Sequence, residues 1–190
     1  MYIGIPYLEY YYKYVVAPEM CARLQLKSSL DAPRFDKCVV DFTSSRVIHN
    51  PEILFLHLLA LEWLTSRRGQ AIKAKSSIAS PNLRVNAEVG SKITLRSSQM
   101  YVLMEYLAHH VFPNMPSEKR PGADKPQVYD RPSGFSVAVP DLFLFTQLAN
   151  QYDNFAQVTG SSRGVKINFK LRSNCTAHSK MLCSLFNFPL

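Results

Sequence analysis

Seven of the chain's 22 lysines and arginines fall within SRRGQAIKAKSSIASPNLRVNAEVGSKITLRSSQM, residues 66–100, where Glu88 is the only acid. They are Arg67, Arg68, Lys73, Lys75, Arg84, Lys92 and Arg96. From Ser91 to Arg96, Lys92, Thr94 and Arg96 alternate with Ile93 and Leu95. From Gly164 to Arg172, Lys166, Asn168, Lys170 and Arg172 alternate with Val165, Ile167, Phe169 and Leu171. A period of two sorts a strand into an apolar face and, here, a face of cations and small polar donors. Such a face does non-covalent chemistry. Lysine and arginine neutralise phosphates and release counterions, while asparagine and threonine reach sugar hydroxyls. If the two strands lie near each other, they form one basic surface whose natural ligand is RNA.

Covalent chemistry finds little support. The chain has no P-loop, no G-x-S-x-G, no H-E-x-x-H and no paired carboxylates flanked by a base. Its carboxylates are scattered singly, against the needs of a metal-dependent nuclease. Cys21, Cys38, Cys175 and Cys183 show no C-x-x-C spacing and read as reduced core residues rather than zinc ligands. No cofactor, no metal site and no enzymatic activity are expected.

These cationic faces need strands, and the strands need cover. Asn50-Pro51 opens a helix, with Asn as cap and Pro at its first position. Ile53–Leu64 is apolar nearly all round, which predicts burial on more than one side. A second helix starts at Ser97 or Ser98 and ends at Phe112, before Pro113; His109 and His110 near its end suit carbonyl capping better than catalysis. A short helix is expected after Ile5, disturbed at Pro18. The six tyrosines from Tyr2 to Tyr14 offer rings for base stacking, but packing is the commoner use of such a stripe. Asp36–Phe42 and Gly134–Val139 read as further strands, and Thr176–Phe186 as an amphipathic helix. Asp141–Phe155 is ambiguous. Residues 69–90 read as a basic loop leading into a strand, and 113–133 as a long exposed proline-rich loop. The predicted architecture is one α+β domain over residues 1–190, an antiparallel sheet with helices mainly on one face and the other face open to a ligand.

Net charge +8 and a pI near 9.4 favour a polyanionic partner, nucleic acid before an anionic membrane surface. No run is apolar and long enough to span a bilayer. The stretch MYIGIPYLEYYYKYVV fits neither a secretory signal nor an Arg- and Ser-rich transit peptide.

The central stretch also resembles a known family. GQAIKAKSSIA, LRVNAEVGSKITLR and MYVLMEYL are similar, in order, to the signature of large-ribosomal-subunit protein five, which binds 5S ribosomal RNA. The matching positions are Lys73, Ala74, Lys75, Ser77, Ile78 and Ala79; Leu83 and Arg84; then Gly90, Lys92, Ile93, Thr94, Leu95 and Arg96. Tyr11, Tyr12, Lys13, Val15, Val16 and Pro18 resemble the family's opening, and Leu185-Phe186-Asn187-Phe188-Pro189 its close. Pro33, Arg34, Asp36 and Lys37 match a V-P-R-x-(E/D)-K segment. The next segment departs: Val40-Asp41-Phe42-Thr43-Ser44-Ser45 stands where the family has L-N-M-G-V-G. Asp41 there puts an anion where an RNA-facing asparagine belongs. The family's R-D-F-R-G-L segment has no counterpart in 113–133.

The resemblance implies a structural constituent of the large subunit's central protuberance, bound to 5S or neighbouring large-subunit RNA. Arg34, Lys37, Lys92, Thr94, Arg96, Lys166, Asn168, Lys170 and Arg172 would contact ribosomal RNA. Lys73, Lys75, Asn82 and Arg84 would contact P-site transfer RNA. Neighbouring ribosomal proteins, including a small-subunit head protein across the intersubunit bridge, complete the implied partners. The departures, with the high tyrosine, phenylalanine and leucine content, point to a mitochondrial ribosome before a cytosolic or plastid one. The alternative is a free-standing RNA-binding module outside any ribosome.

Overall fold

Alternating residues become strands where they alternate. In the computed structural model, which describes residues 6–78, 83–116, 134–153, 155, 164–173 and 175–186, five strands pair in the order β2-β3-β1-β5-β4. They are β1 (Arg34–Thr43), β2 (Gln70–Lys73), β3 (Glu88–Leu95), β4 (Gly134–Val139) and β5 (Val165–Arg172). The sheet is antiparallel and, with its helices, gives the expected α+β class. Val165, Ile167, Phe169 and Leu171 are buried, as are Phe135, Val137 and Val139 on β4 and Ile93 and Leu95 on β3. The alternate residues face outward. Gly90 permits one close pairing: a Cβ there would lie 2.4 Å from the Phe42 carbonyl oxygen and 2.9 Å from Thr43.

The disturbance expected at Pro18 is a π turn just before it, whereas Pro113 does not stop its helix at Phe112 as expected. Helix α1 (Tyr7–Tyr11) passes through a π turn (Tyr12–Val16) into α2 (Ala17–Leu24), with Pro18 inside. Helix α4 (Ser97–Tyr106) passes through a π turn (Leu107–Val111) into α5 (Phe112–Asn114), with Pro113 inside. In both, proline is the second residue past the π turn. The Ala17 N–H donates to the Tyr12 oxygen and the Phe112 N–H to the Leu107 oxygen, spanning five residues instead of four. That wider turn accommodates a ring that would otherwise clash with the carbonyl one turn back.

The chain divides into two compact units, and β1, β3, β4 and β5 contribute residues to both, β3 only Leu95 to the first. The first holds Met1–Cys38, Leu95–Val137 and Asn168–Leu190. Its centre is Phe35, ringed by Tyr101, Phe135, Phe169 and Phe186 at 5.4–6.5 Å between centroids. Helix α7 (Thr176–Leu185) joins this core through Leu182 and Cys183. Tyr11 donates to the Leu185 oxygen and Tyr12 to the Pro33 oxygen. The tyrosine cluster therefore divides: Tyr11 and Tyr12 pack, whereas Tyr7, Tyr10 and Tyr14 are more than half exposed. Tyr2 lies outside the described residues.

The second unit holds Val39–Thr94 and Ala138–Ile167. Phe42 packs edge-on against His57 of α3 (Glu52–Thr65), and Val47, Ile53 and Leu54 form a neighbouring cluster. The ambiguous stretch after Asp141 is a 3₁₀ turn (Leu142–Leu144) followed by α6 (Thr146–Ala149).

Three expectations need correction here. Helix α3 is buried on one side only, because Phe55 and Trp63 on its other side are 67% and 44% exposed. It starts at Glu52 after Pro51, and the Asn50 side chain makes no cap; the Asn50 carbonyl accepts from Ile53 instead. The cysteines are free, but only Cys38 and Cys183 are buried, and Cys175 is exposed. Most of the 113–133 stretch lies outside the described residues. No helix among the described residues is long and apolar enough to cross a membrane.

Candidate nucleic-acid interface

The strand order decides which predicted cations meet. β1 lies between β3 and β5, so the two basic strands are not neighbours. In the second unit, Lys92 and Thr94 of β3 and Lys166 of β5 are exposed. Between those strands, β1 presents half-buried Val39 and Asp41 and exposed Thr43, opposite to its buried Val40 and Phe42. The intervening strand thus brings an anion, not a cation. In the first unit, Lys170 and Arg172 of β5 and Arg34 at the start of β1 are exposed. Lys37 is only half-buried, at a slip in the alternation where Asp36 and Lys37 are both partly covered.

Among the described residues, none of Lys92, Lys166, Lys170 and Arg172 has a carboxylate within ion-pair distance; Arg23 is paired with Glu19, one helical turn away. Unpaired cations on an exposed sheet face are free to neutralise phosphates. Asn168 is half-buried, and its Oδ1 accepts a 2.7 Å hydrogen bond from the Ser136 hydroxyl of β4. Its role is therefore cross-strand pairing at least as much as ligand contact. Arg96 is exposed but lies one residue past β3, at the N-cap of α4, rather than on the strand.

The basic stretch at 69–90 is not simply a loop. β2 pairs antiparallel with β3, in register Gln70↔Lys92, Ala71↔Ser91, Ile72↔Gly90 and Lys73↔Glu88, with a shift between Ile72 and Lys73. The two segments continue to pair beyond the sheet. The Ala74 N–H donates to Ala87 and the Asn86 N–H to Ala74, and Ile78 and Leu83 exchange bonds of 3.0 and 3.1 Å. The result is an arm with Lys73 and Lys75 on the outgoing side and Arg84 on the returning side, all exposed. Asn82 lies outside the described residues. Sequence reasoning missed this ladder because the Ser-, Asn- and Gly-rich composition hides short pairings. The four-residue β2 alone carries too little alternation to declare a strand. Ile72 and Ile78, apolar residues inside the polar run, were the available signal.

No protein-family model matches the chain. It is similar along almost its whole length to curated proteins named large ribosomal subunit protein uL5. The Borreliella afzelii protein is 25% identical over 185 residues, 97% of each chain. The Carboxydothermus hydrogenoformans protein is 25% identical over 185 residues, 97% of this chain and 98% of the relative. The Clostridium kluyveri protein is 27% identical over 178 residues, 94% and 93% of the two chains.

Proposed function

Because the chain is a divergent member of the family of large ribosomal subunit protein uL5, we propose that it is a structural constituent of a large ribosomal subunit, not an enzyme. The observation that carries this is the end-to-end likeness to uL5 proteins. The partners this implies are ribosomal RNA and neighbouring ribosomal proteins.

The finer reading assigns the sheet's open face to 5S or neighbouring large-subunit RNA in the central protuberance. Lys92, Lys166, Lys170, Arg172 and Arg34 act as phosphate contacts, Thr94 and Asn168 as polar neighbours, and Lys37 and Arg96 at the margin. The arm reaches P-site transfer RNA through Lys73, Lys75 and Arg84, with Asn82 as a further donor. A ribosome holds every transfer RNA alike, and phosphate and ribose contacts position without reading sequence. A small-subunit head protein lies across the bridge, and the ribosome is mitochondrial.

Centrifugation of a tagged full chain through a high-salt gradient tests the core of this reading. Co-sedimentation with large subunits is expected, and a free pool alone would favour an RNA-binding module outside the ribosome. Deleting residues 76–86 tests the arm. Subunit assembly is expected to persist while protection of the transfer RNA elbow in footprinting is lost. Unchanged protection would refute the arm's assignment.

A further inference from the structure

Helix α3 carries a surface that the RNA reading does not use. Its sequence, EILFLHLLALEWLT, contains no lysine, arginine, asparagine, glutamine or serine, so it has no polar stripe to turn toward water. Ile53, Leu54, His57, Ala60 and Leu61 take the buried side. On the other side Pro51, Phe55, Leu59 and Trp63 follow at intervals of four, the spacing that stacks side chains in a row. Pro51 is exposed, Phe55 is 67% and Trp63 44% exposed, and Leu59 is half-buried. From Pro51 to Trp63 the row spans twelve helical rises, about 18 Å.

The row's first residue also walls a cleft of about 230 Å³, together with Val47, Ile48, Ala87 and Glu88. Exposed Glu52 and Glu62 flank the row, and the nearest cations in sequence, Arg46 and Arg67, lie outside the helix. Aromatic side chains held out from a rigid helix are the usual anchors of protein interfaces. Glu52, Glu62 and Glu88 repel a phosphate backbone. A second copy would bring the same carboxylates to the rim and no basic side chain from within its own row.

We propose that the row from Pro51 to Trp63 and the adjoining cleft bind an amphipathic helix of another protein, one that carries an apolar stripe rimmed by lysine or arginine. One basic side chain enters the cleft. Its aliphatic stem lies against Val47, Ile48, Pro51 and Ala87, and its charged head meets the Glu88 carboxylate. The rim cations pair with Glu52 and Glu62. This surface is independent of the sheet face and stands whether or not that face binds RNA.

The test is the full chain, expressed in cells of its source with the photoreactive residue p-benzoylphenylalanine at position 55 or 63, and in a parallel arm at position 166. After irradiation, positions 55 and 63 are expected to crosslink to one polypeptide other than this chain, in an apolar segment containing lysine or arginine. Position 166 is expected to crosslink to RNA, so failure of the RNA reading is seen separately. Crosslinks from 55 and 63 to RNA, to a second copy, to a segment lacking basic residues, or to no other molecule would overturn the proposal. The crosslinked segment, made as a peptide, is then titrated against the full chain. Phe55→Ala with Trp63→Ala is expected to weaken binding roughly a hundredfold, and Glu88→Gln roughly tenfold, with melting temperatures unchanged. Unaltered affinity in the double variant would equally overturn it.

Discussion

Phe35 and Phe42 lie on one strand, seven residues apart, and centre two unlike cores. Around Phe35 the neighbours are rings, and two of the tyrosine hydroxyls packed beside them reach backbone carbonyls. Tyr12 and Tyr11 donate to backbone carbonyls, and Tyr12 stacks on both Tyr101 and Phe186. Burial pushes the Tyr101 hydroxyl well above the usual phenol range and raises that of Tyr12, so both stay protonated. Around Phe42 the principal ring neighbour is His57, 4.0 Å away between centroids. Both His57 ring nitrogens are buried without a hydrogen-bond partner among the described residues. Among the described residues, the first unit leaves two single side-chain oxygens, Glu9 Oε2 and Gln99 Oε1, buried without a partner; the second encloses a whole titratable ring with neither nitrogen paired. The difference teaches that similar apolar strand faces can support very different responses to acid.

Removing the ring at the centre of the first core should have the largest effect. Phe35→Ala deletes a buried side chain that faces four other rings, and is expected to cost about 3–5 kcal/mol of stability. Urea unfolding measures it, with loss of the near-ultraviolet aromatic dichroism as a second sign. A cost near 1 kcal/mol would mean the rings do not form one packed cluster.

Acid should separate the second core from the first. Burial lowers the His57 pKa from 6.5 to about 4. Above pH 6.5 the imidazole is neutral in both folded and unfolded chains. As pH falls from 6.5 toward 4, the unfolded chain takes up a proton that the folded chain refuses, so stability drops. The full loss is about 3 kcal/mol, from the size of that shift. His57→Leu keeps the volume and removes both orphaned nitrogens. It is expected to be neutral or stabilising at pH 7 and to flatten stability between pH 6.5 and 4 relative to the parent chain. A pH profile parallel to the parent's would show that His57 is not the group being titrated.

How far this contrast was legible follows from the kind of information each part needs. The strands carrying Lys92, Lys166 and Lys170 were readable because a half-buried strand writes its faces in alternation. Gly90 was readable only through the family resemblance, and the structure supplies its physical reason, since a Cβ there would meet the Phe42 carbonyl. The strand order was not readable, since nothing local says that β1 separates β3 from β5. Consequently the two alternating strands do not pair directly, because β1, which carries Asp41, lies between β3 and β5. The exposure of Phe55 and Trp63 was also hidden: an all-apolar helix reads as buried, whatever surrounds it. Pro113 misled for a different reason, because the π turn ending at Val111 absorbs the clash that would end an ordinary helix.

The outer faces of the same strands should behave in the opposite way to their cores. Replacing Lys166, Lys170 and Arg172 together with alanine is expected to leave the melting temperature nearly unchanged, since exposed charges contribute little to folding. The salt dependence of RNA affinity should flatten by the equivalent of up to roughly three phosphate contacts. An unchanged salt slope with a collapsed melting temperature would show that this face is packed rather than a ligand surface.

The smallest effect is expected at Asp41, which stands beside Phe42 in sequence and points to the opposite face of β1. Its strand runs between those of Lys92 and Lys166, so any phosphate held by either lysine approaches a carboxylate on the strand between them. At a solvent-facing sheet surface that repulsion is modest, worth at most about 1 kcal/mol with an effective dielectric suited to partly exposed charges. Asp41→Asn removes the charge and keeps the shape. RNA affinity should therefore stay the same or rise by a few-fold, and the gain should shrink as salt is added, because screening already weakens the repulsion. Titration of the full chain with large-subunit RNA at two salt concentrations measures both. A marked fall in affinity would reverse the sign of the argument. Asp41 would then be a group that orients a basic side chain at the interface, and β1 would join β3 and β5 as a contact strand instead of dividing them.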